Sequence, residues 1–237
     1  MSRVKVGCCG FAKGRGKYFQ QFRLVEIQQT FYKPPSVGIV KKWCEEAPQD
    51  FEFSLKAWQL ITHLPSSPTY RKAGLQFPAD KESNYGFFKP GEEVFEAWAK
   101  TRNVAEALEA KVILFQCPAK FTETTENIAN LRHFFTSINR GDFVFVWEPR
   151  GEWSNDVIVA LCRDLDLVHC VNPLERAALW GKPRYFRLHG GRDYRHQYTG
   201  DELTKLLQLT STEDYVLFNN LTMYDDALSF IELAKER

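Results

Sequence analysis

Short apolar runs and helix-like repeats alternate along this chain from one end to the other. The runs at 3–9 (RVKVGCC), 23–28 (RLVEIQ), 51–56 (FEFSLK), 111–117 (KVILFQC), 142–148 (DFVFVWE), 167–172 (LVHCVN), 184–189 (RYFRLH) and 214–219 (DYVLFN) are β-rich, and their length suits strands. Between them, apolar spacing predicts helices at roughly 17–22, 36–47, 91–109, 123–139, 154–165, 199–209 and 224–236. In 91–109 the residues Val94, Phe95, Trp98, Ala105 and Leu108 recur at helical spacing. Thr199 followed by Glu202 reads as a capping box, and Ser154 as an N-cap. The connection 173–183 has the weakest pattern, with one helical turn expected around Leu174 to Trp180.

Strands that alternate with helices imply a parallel sheet, and eight such repeats point to a closed (β/α)8 TIM-type barrel rather than an open doubly wound sheet. A length of 237 residues suits a single barrel domain spanning 1–237. One connection is out of scale: 57–90 carries Pro65, Pro68, Pro78, Gly74 and Gly86 and reads as a long loop or lid.

In a parallel barrel both faces of a strand are buried, so a charge within a strand needs a reason to be there. Side chains alternate with period two. Glu26 and Gln28 therefore oppose Val25 and Ile27, and Ser54 and Lys56 oppose Phe53 and Leu55. Val146, Glu148 and Arg150 share one parity, as do Arg187 and His189, while other strands end in Gln116, Asn172, and Asn219 with Asn220. The helix layer offers a charge few partners. The lumen is the economical place for Glu26, Lys56, Glu148, Arg187 and His189, converging at the C-terminal mouth where barrel enzymes carry their chemistry.

Composition narrows the class without naming a reaction. Hydrophobic residues make up 44%, no apolar run is long enough for a membrane span, and the opening MSRVKVGCCGF has no secretory h-region, so a cytoplasmic location is expected. A net charge of +1 argues against global steering toward nucleic acid. The six cysteines show no C-x-x-C spacing and read as reduced, mostly buried thiols. Phe87, Phe88, Phe134, Phe135, Trp43 and Trp98 read as core, whereas Trp58 and Trp153, just after strand ends, are candidates for a substrate-stacking wall.

The stretches VEIQQTFY (25–32), FSLKAWQLITH (53–63), LFQCPAKF (114–121), WEPRGEW (147–153), YFRLHG (185–190) and LFNN (217–220) occur in an order that resembles the YecE-like proteins, domain-of-unknown-function family 72. The resemblance covers nearly the whole chain and implies a TIM-type barrel whose activity is not established. The matching positions are Glu26, Thr30, Phe31, Tyr32, Lys56, Thr62, His63, Gln116, Pro118, Glu148, Arg150, Trp153, Arg187, His189, Gly190, Asn219 and Asn220. The chain departs from the family pattern at the presumed mouth. GCCGF (7–11) stands for a Gly-x-Ser-Gly-Trp opening, Gln28-Gln29 for Asn-Ser, and Pro149 and Gly151 for an aromatic residue and a histidine.

Three chemistries fit these residues. The first is an enzyme or binder for an anionic small molecule, phosphorylated or carboxylated. Lys56, Arg150 and Arg187 would meet the anion. Glu26, Lys56, His63, Glu148 and His189 are the acid–base candidates, and Tyr32, Gln116, Trp153, Asn219 and Asn220 further contacts. The second needs a divalent metal, with Glu26, His63, Glu148 and His189 as ligands for phosphodiester hydrolysis or sugar isomerisation; otherwise no cofactor is expected. The third is a non-catalytic nucleic-acid binder using the stretch 182–198. There Lys182, Arg184, Arg187, Arg192 and Arg195 exceed Asp193, and Tyr194, His196 and Tyr198 supply rings. The first is favoured. No membrane partner is expected, and the sequence does not specify an oligomeric state.

Overall fold

The computed structural model describes residues 4–78 and 80–235. The eight expected strands form: β1 (Lys5–Cys9), β2 (Leu24–Ile27), β3 (Glu52–Lys56), β4 (Val112–Gln116), β5 (Val144–Glu148), β6 (Val168–His169), β7 (Tyr185–Leu188) and β8 (Tyr215–Phe218). They pair in parallel in the order β6-β5-β4-β3-β2-β1-β8-β7. The ring closes through a single parallel bridge, Val171 to Phe186, where the Arg187 amide donates to Val171 O at 3.0 Å. The result is a nearly closed (β/α)8 barrel.

The seam between β6 and β7 has a local cause. The predicted strand 167–172 shrinks to two residues because the His169 amide donates to Trp180 O, not to β7. The expected helical turn at 174–180 does not form. Asn172 instead organises a turn, its carbonyl accepting from the Glu175 and Arg176 amides and its side chain from Leu174.

The helices in chain order are α1 (Arg15–Gln21), α2 (Gln29–Tyr32), α3 (Val37–Glu46), α4 (Gln59–Thr62), α5 (Pro68–Lys72), α6 (Glu92–Ala107), α7 (Thr125–Ser137), α8 (Asn155–Asp164), α9 (Gly200–Leu209) and α10 (Met223–Lys235). Helix α6 buries Val94, Ala97, Trp98, Thr101, Val104 and Ala105, an apolar stripe at helical spacing. The capping box at α9 is present, Thr199 Oγ1 accepting from the Glu202 amide and Glu202 from the Thr199 amide. Ser154 precedes α8 as expected, but its hydroxyl donates to Glu123 Oε2 instead of capping.

The long 57–90 connection is folded down and not an open flap. It contributes α4 and α5, and Gly86 and Phe88 donate their amides to Leu60 and Ile61 carbonyls. Phe88 is fully buried against Phe115, Phe121, Phe134 and Phe135. Burying a ring of this size contributes roughly 1.5–3 kcal/mol toward holding the segment in place.

Two apolar layers result. Between strands and helices lies the main core, containing Trp43, Trp98, Phe115 and Phe134. The barrel interior holds a second cluster of Cys9, Leu24, Val112, Leu114, Val146, Val168, Cys170, Tyr185, Tyr215 and Leu217. At the N-terminal end of the strands Lys5, Glu52 and Tyr215 close the lumen, with Lys5 Nζ 2.7 Å from Glu52 Oε1. All six cysteines are free, and all but Cys44 are buried. Among the described residues no helix is long and apolar enough to cross a membrane.

Candidate functional site

Strand parity delivers the expected charges to one place. Arg187, only 1% exposed, stands at its centre, with its terminal nitrogens 2.9 Å from Glu26 Oε1 and 2.5 Å from Glu148 Oε2. It also donates to Cys9 Sγ at 3.5 Å, while its Nε is buried without a partner. Glu26, fully buried, accepts from the Tyr185 hydroxyl at 2.7 Å and from the Gln28 amide, and Tyr185 in turn meets Ser54 Oγ at 2.9 Å. Every oxygen of both carboxylates therefore has a donor. Buried ion pairs are tolerable only when the remaining lone pairs are satisfied in this way.

Glu148 reaches the rim. Its Oε1 accepts from Arg150 Nε at 2.9 Å and lies 3.0 Å from His189 Nε2. Burial pushes its pKa up, but Arg187, Arg150 and His189 outweigh that and hold it well below the usual carboxylate range. His189 is pushed down by burial, with Arg187 and Arg150 adding to the effect and Glu148 opposing it. Asn219 Nδ2 lies 3.0 Å from His189 Nδ1, which suits the neutral tautomer with its proton on Nε2. Arg150 packs its NH2 2.9 Å from that ring nitrogen and reaches Tyr194 OH at 3.5 Å.

Lys56 is different. Its ammonium donates to Gln116 Oε1 at 2.7 Å and sits 3.6 Å over the Phe31 ring, yet among the described residues no carboxylate lies within ion-pair distance. Burial drives its pKa down to about 7, Arg187 and Arg150 add to this, and Glu148 and Glu26 offset part of it. Thr30 Oγ1 donates to the Lys56 carbonyl at 2.7 Å, tying α2 to the end of β3. His63 is pushed by burial, then by Lys56 and Arg150, to about 3, and its Nδ1 lies 2.8 Å from Thr62 Oγ1.

Other expected contacts have different employment. The Asn220 amide donates to Asp226 Oδ2 at 2.6 Å and to His196 O, pinning the loop after β7. Trp153 donates to Phe121 O at 2.7 Å and packs edge-on to Trp147, so its ring completes the core edge. Tyr32 accepts Trp58 Nε1 with its carbonyl, and its ring lies beneath Lys72. Gly190 opens the loop with φ +65°, where a Cβ would stand 2.5 Å from Asn220 Cβ.

The basic stretch 182–198 does not form one surface. Lys182 and Arg184 precede β7 at the opposite end of the barrel, where Arg184 pairs with Asp214 at 2.5 Å. Arg187 is buried, His196 is paired with Glu202, and Tyr198 is buried with its hydroxyl accepting the Gly190 amide. The four residues considered as metal ligands also fail to gather: among the described residues no group of three or more His, Cys, Asp or Glu side chains could hold an ion. Glu26 and Glu148 are bridged by a guanidinium, and His63 is turned to Thr62. A cation there would have to displace Arg187.

Grooves elsewhere involve neither Lys56, Arg150 nor His189. One of about 550 Å³ lies between α5 and Phe77, and another of about 470 Å³ is lined by Asp166, Trp180 and Arg184 below β6 and β7.

The model of the family described as "Protein of unknown function DUF72" matches residues 13–236. The chain belongs to the DUF72 family. A DUF72 protein from Enterococcus faecalis V583 is 18% identical, with a TM-score of 0.70 over 99% of this chain and 98% of its own. Another, from Thermotoga maritima MSB8, is 20% identical, with a TM-score of 0.69 over 98% and 99%. The fold extends to a D-psicose 3-epimerase solved in the presence of D-fructose, at 10% identity and a TM-score of 0.62 over 98% and 99%. No curated protein matches the chain significantly.

Of two departures from the family pattern, the structure places both and gives a physical reason for one, Gly151. Cys9, where the family's opening motif carries serine, is the sulfur that accepts from Arg187. Gly151, where the family tends to have histidine, passes so close to Phe121 that a Cβ would lie 2.2 Å from its carbonyl oxygen. Tyr185, Ser54 and Cys9 join the site without being among the expected site residues, and Phe31 joins it from the positions that carry the resemblance. For Tyr185 and Ser54 the signal was available, since each shares parity with a charged residue on its own strand.

Proposed function

We propose that the mouth of this barrel binds an anionic small molecule, phosphorylated or carboxylated, as the ligand or substrate of an enzyme. The observation that supports this most directly is a charge imbalance. Arg187, Arg150 and Lys56 converge on Glu26 and Glu148, both histidines beside them are held neutral, and the surplus positive charge, carried by Lys56 in its protonated form, has no ion-pair partner among the described residues. An uncompensated charge in a half-buried site costs stability unless a ligand supplies its counterpart.

The roles differ from residue to residue. Arg187 cannot meet a ligand, because both its terminal nitrogens are engaged and it is buried; it positions Glu26 and Glu148. Arg150, with about a third of its side chain exposed, is the cation facing incoming molecules. Its Nε stays on Glu148 while the guanidinium retains donors for an oxyanion. Gln116 and Asn219 add amide groups suited to hydroxyls, which agrees with a fold neighbour crystallised in the presence of a sugar.

A thermal-shift screen of phosphorylated and carboxylated metabolites against matched neutral polyols tests this. Anions should raise Tm and polyols should not, and Arg150→Ala should lose most of the effect. Equal shifts in Arg150→Ala and wild type, or none from any anion, would remove the basis of the proposal.

A further inference from the structure

Lys56 has an arrangement that anion binding alone does not require. A lysine recruited only as a counter-charge is best left hydrated, or paired, as a compact ammonium. Here the side chain is 7% exposed and its nitrogen rests on an aromatic face and one amide oxygen, with two guanidinium groups close enough to repel a second positive charge. Its backbone is fixed by Thr30 through the Lys56 carbonyl, so the nitrogen is presented from a rigid strand end. Phe31 leaves one side of the amine apolar and closed.

From this geometry we infer that Lys56 is a nucleophile that forms an imine with the carbonyl carbon of an aldehyde or ketone carrying an anionic group, a sugar phosphate or an oxo acid. The inference rests on the anion-binding reading above and narrows its substrate class. The amine lone pair adds to the carbonyl carbon, and the π pair moves to oxygen, which takes a proton to give the carbinolamine. Nitrogen then expels that hydroxyl as water. Overall, an ammonium and a carbonyl give an iminium and one water, with charge conserved. Gln116 Oε1, already 2.7 Å from the nitrogen, accepts the iminium N–H, and Arg150 at the rim holds the anionic end. The depressed pKa of about 7 leaves a large fraction of the amine unprotonated at neutral pH, which this addition needs.

Reductive trapping is the test. The full-length protein is incubated with pyruvate or dihydroxyacetone phosphate and sodium cyanoborohydride, then analysed by intact mass and peptide mapping. The expected result is one adduct per chain, on Lys56. It should form at least ~10-fold faster at pH 7 than on any surface lysine, whose free-base fraction is lower by roughly a thousandfold. Its rate should level off above pH 7 while surface labelling continues to climb. Lys56→Arg, verified as folded by circular dichroism, should lose the adduct, and glycerol phosphate should compete. Adducts confined to surface lysines, with the anion-induced thermal shift intact, would overturn the imine and leave the anion site standing. Lys56 labelling by acetone as fast as by the two anions would keep the nucleophile and overturn the anionic substrate class. Neither an adduct at Lys56 nor a thermal shift would overturn both.

Discussion

Replacing Arg187 with methionine removes the one cation shared by two buried carboxylates and leaves the apolar length of the side chain in place. The wild-type contacts are 2.9 Å to Glu26 and 2.5 Å to Glu148, with side-chain exposures of 1%, 0% and 7% for the three residues. An ion pair at ~4 Å in an effective dielectric of 20 is worth about 4 kcal/mol gross. Much of that offsets desolvation, so the more useful figure is the ~3–5 kcal/mol typically lost when one partner of a buried pair is removed. Glu148 keeps Arg150 and His189, and Glu26 keeps Tyr185 and Gln28, so the loss should stay within that range and not double. For a chain of this size it corresponds to a Tm lower by roughly 6–20 °C. The pH dependence identifies the cause. In the wild type Glu148 is held below its unfolded pKa, so its stabilisation is present above that value of about 4.3 and is lost as pH falls through the folded one. In Arg187→Met the largest charge holding Glu148 down is gone, so its folded pKa rises and acid relieves part of the penalty. The gap between variant and wild type in urea denaturation should therefore be widest near pH 8 and narrow toward pH 5. A gap below ~1 kcal/mol, or one constant across that range, would refute the central role given to Arg187.

Lys56→Met should stabilise the protein at pH 7. The lysine is held near 7 when folded and near 10.5 when unfolded, so the unfolded chain binds the extra proton between those values and wild-type stability rises with pH through that window. The variant's advantage should be a few kcal/mol at or below pH 7, about 1.4 per pKa unit, and should fade toward pH 10 in urea titrations. Gly151→His should lower Tm, since the added Cβ meets the Phe121 carbonyl at 2.2 Å, and an unchanged melting curve would show that this backbone moves freely. Cys9→Ser should be nearly neutral, within ~1 kcal/mol by denaturant unfolding, because a hydroxyl accepts from Arg187 at least as well as the thiol does.

The sequence was legible wherever a local period carries the information. Eight strands and the major helices follow from periods of 2 and 3.6, and parity alone put Glu26, Lys56, Glu148, Arg187 and His189 in one lumen. What periodicity does not carry is which partner a polar group finds across the barrel. Glu26 and Glu148 read as an acid–base or metal pair because their shared guanidinium comes from a strand about forty residues beyond Glu148. The charges of 182–198 read as one patch because sequence proximity hides that a strand carries its two ends to opposite faces. Short helices inside 57–90 escaped notice because four or five residues are too few to show a period.

The same distinction separates scaffold from chemistry within the mouth. Arg187 and Glu26 look the most unusual in sequence, as charges within apolar strands, yet every strong contact they make is internal, and what they supply is a fixed frame. Lys56, singled out with them by parity, is among the described residues a buried cation that this frame does not pair. A fold gains nothing by desolvating a charge it does not pair, and methionine would fill the space with less penalty. The proposed chemistry requires a destabilising Lys56. It also makes a joint demand on one residue: substitution should strengthen the fold and abolish the trapped adduct together. A Lys56→Met protein that is no more stable than wild type at pH 7 would mean that the amine is already compensated, and the case for its reactivity would lose its physical foundation.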